Sequence, residues 1–341
     1  MRNRPARRKA AGLPETRRQG PTARMIVDMH THAGRGPASG AGWTPRPETL
    51  ASMAPAGVAA CAVAAIPDAT VIRRNPASRR IEQVRDPRPG ECWATTLSHL
   101  DAIVASAPRL AREPADIRDG DPAVVLAVEG CDGLEGGLGR LEELAARGVR
   151  SLQLVHYRVN ETGDIQTAPA VHGGLTRFGA DAVRRMNALG IMPDVAHCTE
   201  ATALGVCAAS TKPVLCTHAN MQDGSGHPRF ISPAYAQAVA GTGGVIGAWI
   251  AVLWDRPWES FIDHLFRLVD AVGVAHVGIG TDMPVGVAET AMPDFARHAD
   301  IPAALAASGL AAAEIAAICG GNWLRVFTET RPRGSAATRA A

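Results

Sequence analysis

Two apolar runs decide the fold, and each ends in a histidine: IMPDVAH over residues 191–197 and KPVLCTH over residues 212–218. Helix-forming sequence lies before and between them, over residues 176–189 and 199–209, and Gly190 stands where the first helix should stop. Strands that alternate with helices pair in parallel, and the carboxyl ends of parallel strands face the ligand crevice. The pattern therefore brings His197 and His218 to one spot, which is the geometry of a metal site.

The same alternation runs through the rest of the chain. Six further strands are predicted, at residues 25–30, 57–66, 123–129, 150–156, 242–250 and 275–282. Further helices are predicted at residues 92–112, 136–148, 260–272 and 301–327, and loops at residues 33–47, 67–90 and 157–174. Eight strands with intervening helices predict a single (β/α)8 TIM barrel, and a chain of 341 residues is long enough for one.

The charge distribution separates a tail from a body. Residues 1–24 carry eight basic groups against one acid, Glu15, a balance of +7 in a chain of net charge +2, which leaves −5 for the rest. We expect a disordered basic extension over residues 1–24, a catalytic barrel over residues 25–327 and a flexible tail over residues 328–341. The acidic body argues against nucleic acid as a substrate or partner.

Cysteine usage and hydropathy bear on the compartment. Seven scattered cysteines without a C-x-x-C pair predict reduced thiols in a cytoplasmic protein. The basic extension lacks the apolar segment of a secretory signal, and no apolar run approaches the length of a membrane span, so no membrane partner is expected. A homodimer is compatible with the sequence, which leaves the oligomeric state open.

Six of the eight predicted strands end in ionisable side chains. These are His30 with His32, Glu129, His156, His197, His218 and Asp282. Alternate residues of an extended chain project the same way, so His30 and His32 can share one ligand. Buried ionisable groups are costly unless they are paired or bind metal, so the joint pattern predicts a metal site on one face of the barrel.

Histidine nitrogens and carboxylate oxygens suit two divalent ions, zinc foremost. Glu129 can bridge two ions with one oxygen to each. Two bound ions turn a water molecule into hydroxide near neutral pH and polarise a carbonyl or phosphoryl oxygen. Asp282 would take the proton from that water and pass it to the leaving group. The predicted chemistry is hydrolysis or deamination, and a non-catalytic barrel is the alternative from another class.

The chain resembles the renal (membrane) dipeptidase family of the amidohydrolase superfamily over residues 25–327. The resemblance is carried by VEG at residues 128–130, LQLVH at 152–156, GLTRFG at 174–179, DVAH at 194–197, HPR at 227–229, GGVIG at 243–247 and GGNWLRVF at 320–327. The resemblance implies a zinc-dependent peptidase that hydrolyses dipeptides, including dipeptides with a D- or dehydro residue at the C-terminal side. The expected partner is therefore a small peptide substrate.

The resemblance also implies roles for single residues. His30 and Glu129 would hold one zinc ion, and Glu129, His197 and His218 the other. His156 would hold the substrate carbonyl or its tetrahedral oxyanion, and Asp282 would be the acid and base. Arg229 would clamp a substrate carboxylate, for which a guanidinium fork is suited.

The chain departs from the family in two places. His32 stands where the family usually has aspartate, and this His-x-His form belongs to the wider superfamily; we interpret His32 as a further metal ligand. Met283-Pro284 replaces the family's aromatic-acidic pair after the final aspartate. The first departure keeps open another metal hydrolase of the superfamily, of the lactonase, deaminase or nuclease type.

Overall fold

The structure is a computed structural model that describes residues 25–35, 44–78, 80–286 and 288–331. Eight parallel strands form a ring in which each strand pairs with the next along the chain. They are β1 (Ile26–Thr31), β2 (Val58–Ala65), β3 (Ala123–Val128), β4 (Val149–Gln153), β5 (Met192–Asp194), β6 (Leu215–Met221), β7 (Val245–Ala248) and β8 (Val277–Ile279). Pairing of β8 with β1 closes the ring. The predicted (β/α)8 barrel is confirmed.

Helices connect the strands and complete the fold. They are α1 (Pro47–Ala51), α2 (Glu91–Ser106), α3 (Arg140–Arg147), α4 (Arg177–Leu189), α5 (Glu200–Ala209), α6 (Pro233–Gly241), α7 (Pro257–Val272), α8 (Ala288–Ala291), α9 (Ile301–Ala307), α10 (Ala312–Ala316) and α11 (Asn322–Thr330). The side chains of Thr176 and Thr199 accept hydrogen bonds from the first turns of α4 and α5, as N-caps do. Gly190 ends α4 in the left-handed conformation.

An apolar cluster with members from six strands around the ring fills the barrel. It includes Met29, Ala62, Val125, Leu215 and Val245, all almost completely buried. Trp323 of the last helix belongs to the same cluster. Close-packed small and branched side chains of this kind make the interior of such a barrel a core rather than a pore.

Two glycines let neighbouring strands approach each other beneath the carboxyl ends. A Cβ atom on Gly247 would lie 2.0 Å from the carbonyl oxygen of Thr217, and one on Gly280 would lie 1.7 Å from the same oxygen. Any larger residue would push β6, β7 and the end of β8 apart. This close approach brings together the chain segments that carry His218, one residue after Thr217, and Asp282, two residues after Gly280.

Several predicted strands run too far toward the site. The prediction extended them to their terminal ionisable residues, whereas β3 stops just before Glu129, and β5 and β8 stop three residues before His197 and Asp282. His197 and Asp282 have positive φ angles of 69° and 57°, so the chain has left the extended conformation there. The side chains turn inward because the backbone no longer follows the ladder.

Other elements differ from the prediction in detail. The predicted loop at residues 67–90 contains an antiparallel hairpin of Ile72–Arg74 with Ile81–Gln83. Helix α6 was not predicted, and Phe230–Ile231 pairs with β6 as a ninth strand of the sheet. The predicted helix at residues 301–327 is divided, because Gly309 adopts a φ of 94° between α9 and α10.

The predicted basic extension at residues 1–24 lies outside the described residues, as do residues 332–341 of the predicted tail. Among the helices that the structure describes, none combines the length and the apolar character needed to cross a lipid bilayer. All seven cysteines are free thiols, and only Cys207 is not fully buried.

Candidate metal centre

The ionisable strand ends converge at one end of the barrel. They are His30, His32, Glu129, His156, His197, His218 and Asp282, and each is at most 5% exposed. The structure thus brings together every strand-end residue that the sequence pattern singled out. Arg229 joins them from the loop after β6 and is 3% exposed.

One group of ligand atoms lies at the ends of β1, β3 and β8. We call His30, His32, Glu129 and Asp282 the first half-site; their ligand atoms lie within 4.8 Å of one another. His32 Nε2 is 3.3 Å from Glu129 Oε2 and 3.1 Å from Asp282 Oδ1. Asp282 is therefore within reach of an ion at this half-site, beside its predicted role as acid and base.

A second group lies at the ends of β3, β5 and β6. We call Glu129, His197 and His218 the second half-site; their ligand atoms also lie within 4.8 Å of one another. His197 Nε2 is 3.2 Å from Glu129 Oε1 and 3.0 Å from His218 Nε2. Glu129 Oε2 faces His32 of the first half-site, and Oε1 lies between His30 of the first, at 3.4 Å, and His197 of the second. The carboxylate is therefore placed where it can bridge the two half-sites.

Unsatisfied buried atoms test whether metal ions fit this arrangement. His30 Nε2, Glu129 Oε2 and Asp282 Oδ1 are buried and have no hydrogen-bond partner in the part of the chain that the structure describes. Buried polar groups are nearly always hydrogen-bonded, so three such atoms in one cluster are suited to a ligand that the chain does not supply. Two imidazoles with carboxylate oxygens suit a divalent transition metal, zinc in particular. The residues of the first half-site are therefore suited to bind a zinc ion.

The surroundings of the two half-sites shift the pKa values of their histidines in opposite directions. Burial lowers the pKa of His32, but the Glu129 and Asp282 carboxylates outweigh burial and raise that pKa to about 10. Burial and the Arg229 guanidinium hold the pKa of His197 well below its usual value. Burial, together with His30 and His197, does the same to the pKa of His218.

His156 faces the centre and is oriented by a residue that the sequence analysis missed. Its Nε2 lies 3.3 Å from Glu129 Oε2, and its Nδ1 lies 2.8 Å from Oδ1 of Asp68, which is completely buried. The other oxygen of Asp68 accepts the backbone N–H of Tyr157. Asp68 lies three residues after the end of β2, at the same face of the barrel. The sequence analysis missed it because the predicted strand ended in apolar residues before reaching it.

Arg229 contacts the second half-site directly. Its Nη1 lies 2.6 Å from His197 Nδ1, and its Nε donates to Gln166 Oε1 at 3.0 Å. Nη2 is buried and has no hydrogen-bond partner among the residues that the structure describes, so one arm of the guanidinium fork can take a ligand. The guanidinium carbon lies 4.7 Å from the ring centroid of Trp249.

Two buried aspartates tie neighbouring ligand strands together. Asp28 Oδ2 accepts the hydroxyl of Thr281 at 2.6 Å, and Asp28 Oδ1 accepts the backbone N–H of His30 at 3.2 Å. Asp194 Oδ2 accepts the hydroxyl of Thr217 at 2.6 Å in the same way. Because Thr281 precedes Asp282 and Thr217 precedes His218, each pair braces two ligand-bearing positions of one half-site.

Fold and site together define the class of protein: a (β/α)8 barrel with two clusters of possible metal ligands that share one glutamate. Residues 96–338 match the family described as membrane dipeptidase (peptidase family M19). The chain belongs to this family, and the resemblance drawn from its motifs is confirmed. His30 and His32 lie before the first matched residue.

Two relatives show the extent of the similarity. Dipeptidase verJ of Clonostachys rogersoniana is 31% identical over 257 residues, which are 70% of this chain but only 65% of that protein, less than two thirds of its length. An uncharacterized protein in the pqqA 5′ region of Klebsiella pneumoniae is 28% identical over 249 residues, 68% of this chain and 92% of that protein.

Solved structures share the fold at low identity. A metallo peptidase from Rhodobacter sphaeroides, liganded with a phosphinate mimic of the dipeptide L-Ala-D-Ala, has a TM-score of 0.73 and 22% identity; the match covers 90% of this chain and 99% of that one. An amidohydrolase from Pseudomonas aeruginosa has a TM-score of 0.71 and 20% identity, with 90% and 96% covered.

Proposed function

We propose that the protein is a zinc-dependent dipeptidase that works with two divalent metal ions. His30, His32 and Glu129 would hold one ion, with Asp282 beside it, and Glu129, His197 and His218 would hold the other. The observation that carries the proposal is the pair of half-sites on either side of one glutamate. Bound there, the two ions supply an activated water nucleophile and polarise the scissile carbonyl.

The chain's own carboxylate would manage the proton. Asp282 Oδ1 is buried at the first half-site, 3.1 Å from His32 Nε2, and accepts no hydrogen bond of good geometry from the described residues. From this position it accepts a proton from the attacking water and returns it to the amine nitrogen as the peptide bond breaks. His156 would hold the carbonyl oxygen as it becomes a tetrahedral oxyanion, because Asp68 fixes the ring with Nε2 toward the centre.

Arg229 would select substrates with a free carboxylate close to the scissile bond. Its unpaired Nη2 can donate to a carboxylate oxygen, and its Nη1 already contacts the ligand His197. A carboxylate held against this arm would lie close to the second half-site, because Nη1 of the same guanidinium contacts His197, so little chain would fit between the carboxylate and the scissile bond. This limit on length favours dipeptides over longer peptides.

We extend the proposal to dipeptides with a D- or dehydro residue on the C-terminal side. The Rhodobacter sphaeroides structure supports this extension, because its ligand mimics L-Ala-D-Ala and its fold matches 90% of this chain. We also propose a cytoplasmic location, supported by seven free thiols, and treat the homodimer as the oligomeric state to be measured.

The test is a substrate panel with zinc-loaded protein. It contains L-Ala-L-Ala, L-Ala-D-Ala, their C-terminal amides, a simple lactone and a nucleoside that can be deaminated. We expect hydrolysis of the free dipeptides and little turnover of the lactone or the nucleoside. Faster turnover of the lactone or the nucleoside would instead assign the chain to another branch of the superfamily.

A matched pair of arginine variants sharpens the test. Arg229→Met should raise KM for the free dipeptide by roughly tenfold or more, because a charge-assisted bond is lost, and leave KM for the amide nearly unchanged. Arg184→Met, on the exposed face of α4, is the control and should change neither. Equal losses on dipeptide and amide would refute the carboxylate clamp.

A further inference from the structure

Trp249 lies between two groups that the proposed mechanism uses at opposite ends of the substrate. It directly follows β7 and is 2% exposed. Its indole Nε1 donates a hydrogen bond to Asp282 Oδ2 at 3.0 Å. The Arg229 guanidinium lies over the face of the same indole ring, with 4.7 Å between Cζ and the ring centroid.

We propose that Trp249 is a positioning residue that fixes Asp282 and Arg229 relative to each other. It would thereby set the distance between the proton-transfer group and the substrate's carboxylate clamp. This inference rests on the proposed dipeptidase function and deepens it, since that distance determines which substrates place the scissile bond correctly. The sequence analysis placed Trp249 inside a strand over residues 242–250, whereas β7 ends at Ala248 and Trp249 is the first residue after it.

The hydrogen bond selects which oxygen of Asp282 faces the centre. A carboxylate can rotate and offer either oxygen, but the indole N–H engages Oδ2. Oδ1 is then the oxygen that lies 3.1 Å from His32 Nε2 and 3.7 Å from His30 Nε2. A donor on one oxygen therefore leaves the other in a defined place for proton transfer.

The ring face holds the plane of the Arg229 guanidinium. Gln166 accepts the Nε hydrogen, Nη1 rests against His197, and the indole covers one face of the group. A cation over a tryptophan face is attracted by the negative potential of the ring, most strongly when both are desolvated. These contacts leave Nη2 as the one arm without a hydrogen-bond partner among the described residues.

Trp249 is itself held in place from the neighbouring strand. The Asn220 side chain donates from Nδ2 to the Trp249 carbonyl at 2.8 Å and accepts the Trp249 N–H on Oδ1 at 3.3 Å. Asn220 lies on β6, two residues after His218. The indole is thus anchored to the strand that carries a ligand of the second half-site, while its N–H reaches the first.

Two substitutions separate the two contacts. Trp249→Phe keeps an aromatic face but removes the N–H, so kcat should fall roughly tenfold while KM changes little, because a bond to a charged group is lost. Trp249→Leu removes both, so KM for a free dipeptide should rise a further several-fold, and KM for its amide should not. Trp254→Phe, at an exposed tryptophan five residues on, is the control and should change neither.

A readout without substrate keeps this inference separate from the proposed function. In protein labelled with 15N at tryptophan, Trp249→Phe identifies the Trp249 indole N–H resonance. Asp282→Ala should move that resonance upfield, because the hydrogen bond is lost. Arg229→Met should also change its chemical shift, because the cation over the indole ring is lost. If the parent protein cleaves no dipeptide, the proposed function fails and the resonance still decides whether Trp249 contacts both groups. A resonance that neither substitution moves, or parental kcat and KM in Trp249→Leu, would overturn the inference.

Discussion

The two half-sites share a bridging glutamate and a common support, but they differ in charge. In each, a buried aspartate accepts the hydroxyl of a threonine at 2.6 Å: Asp28 with Thr281, just after the neighbouring β8, and Asp194 with Thr217, on the neighbouring β6. The first half-site adds a second carboxylate, Asp282. The second has no carboxylate of its own beyond Glu129 and has the Arg229 guanidinium against His197.

This difference in charge separates the work of the two halves. The carboxylates raise the pKa of His32 and keep its imidazole protonated in the ion-free protein, whereas burial and Arg229 lower the pKa of His197 and keep that imidazole neutral. In the proposed mechanism, proton handling would therefore belong to the first half-site, and recognition of an anionic substrate end would belong to the second. A single barrel face thus supports both, because neighbouring strand ends set different local fields.

The largest effect is expected at Asp282. Asp282→Asn keeps the shape of the side chain but cannot accept the proton, so kcat should fall ~10²–10⁴-fold. Metal content should remain at the parental level, since His30, His32 and Glu129 still bind. Steady-state kinetics together with inductively coupled plasma mass spectrometry measure both quantities.

Asp263→Asn, at an exposed aspartate on α7, is the control for the Asp282 variant and should match the parent. Loss of one ion in Asp282→Asn would show that this carboxylate is a metal ligand rather than a free acid and base. All four residues of the first half-site would then be metal ligands, and another residue would have to accept the proton.

The threonine supports should act locally and with a smaller effect. Thr281→Val and Thr217→Val each remove one hydroxyl donor to a buried aspartate with little change of volume. We expect each to weaken the nearer ion by roughly tenfold, the cost of a bond to a charged group, and to spare the other ion. Competition with a metal-binding dye measures both affinities, and equal weakening of both ions by each variant would remove the independence of the half-sites.

The last comparison concerns pH dependence rather than the effect of a substitution. Below a pKa of about 10, His32 carries a proton that it must release before it can ligate, so affinity at the first half-site should rise by up to about tenfold per pH unit from about pH 6 to 9. His197 and His218 are already neutral there, so affinity at the second half-site should stay nearly flat. Zinc titration calorimetry of His197→Ala isolates the first half-site, and the same titration of His32→Ala isolates the second.

Calorimetry in two buffers of different ionisation enthalpy also counts the released protons. We expect about one proton for the first half-site and close to none for the second. The same count at both would mean that the charge difference between the half-sites does not govern binding.

The sequence alone was enough to predict the barrel and the residues at its mouth. The alternation of apolar runs and helices placed eight strands in order, and ionisable residues at strand ends pointed to one face. What it could not show was where each strand stops. His197 and Asp282 leave the ladder with positive φ angles, a backbone change that depends on tertiary packing and has no signature in apolar periodicity.

Residues that act through other residues were also beyond reach. Asp68 lies past the end of an apolar strand, and its contact with His156 is seen only in the folded barrel, where β4 brings the two residues together. Trp249 looked like one more apolar residue of a strand until its N–H was seen on Asp282. These contacts join positions that are 88 and 33 residues apart, so no local sequence pattern predicts them.

The most direct test of a two-metal centre built around Glu129 is a zinc titration of chelator-stripped protein, with metal content and L-Ala-D-Ala hydrolysis measured on the same samples. We expect activity to be absent without metal, to return with zinc, and to saturate at two ions per chain. Glu129→Gln should weaken both ions by more than about 100-fold, because it removes a charged ligand from each half-site. Full activity in the stripped protein, or two ions bound by Glu129→Gln as tightly as by the parent, would contradict it.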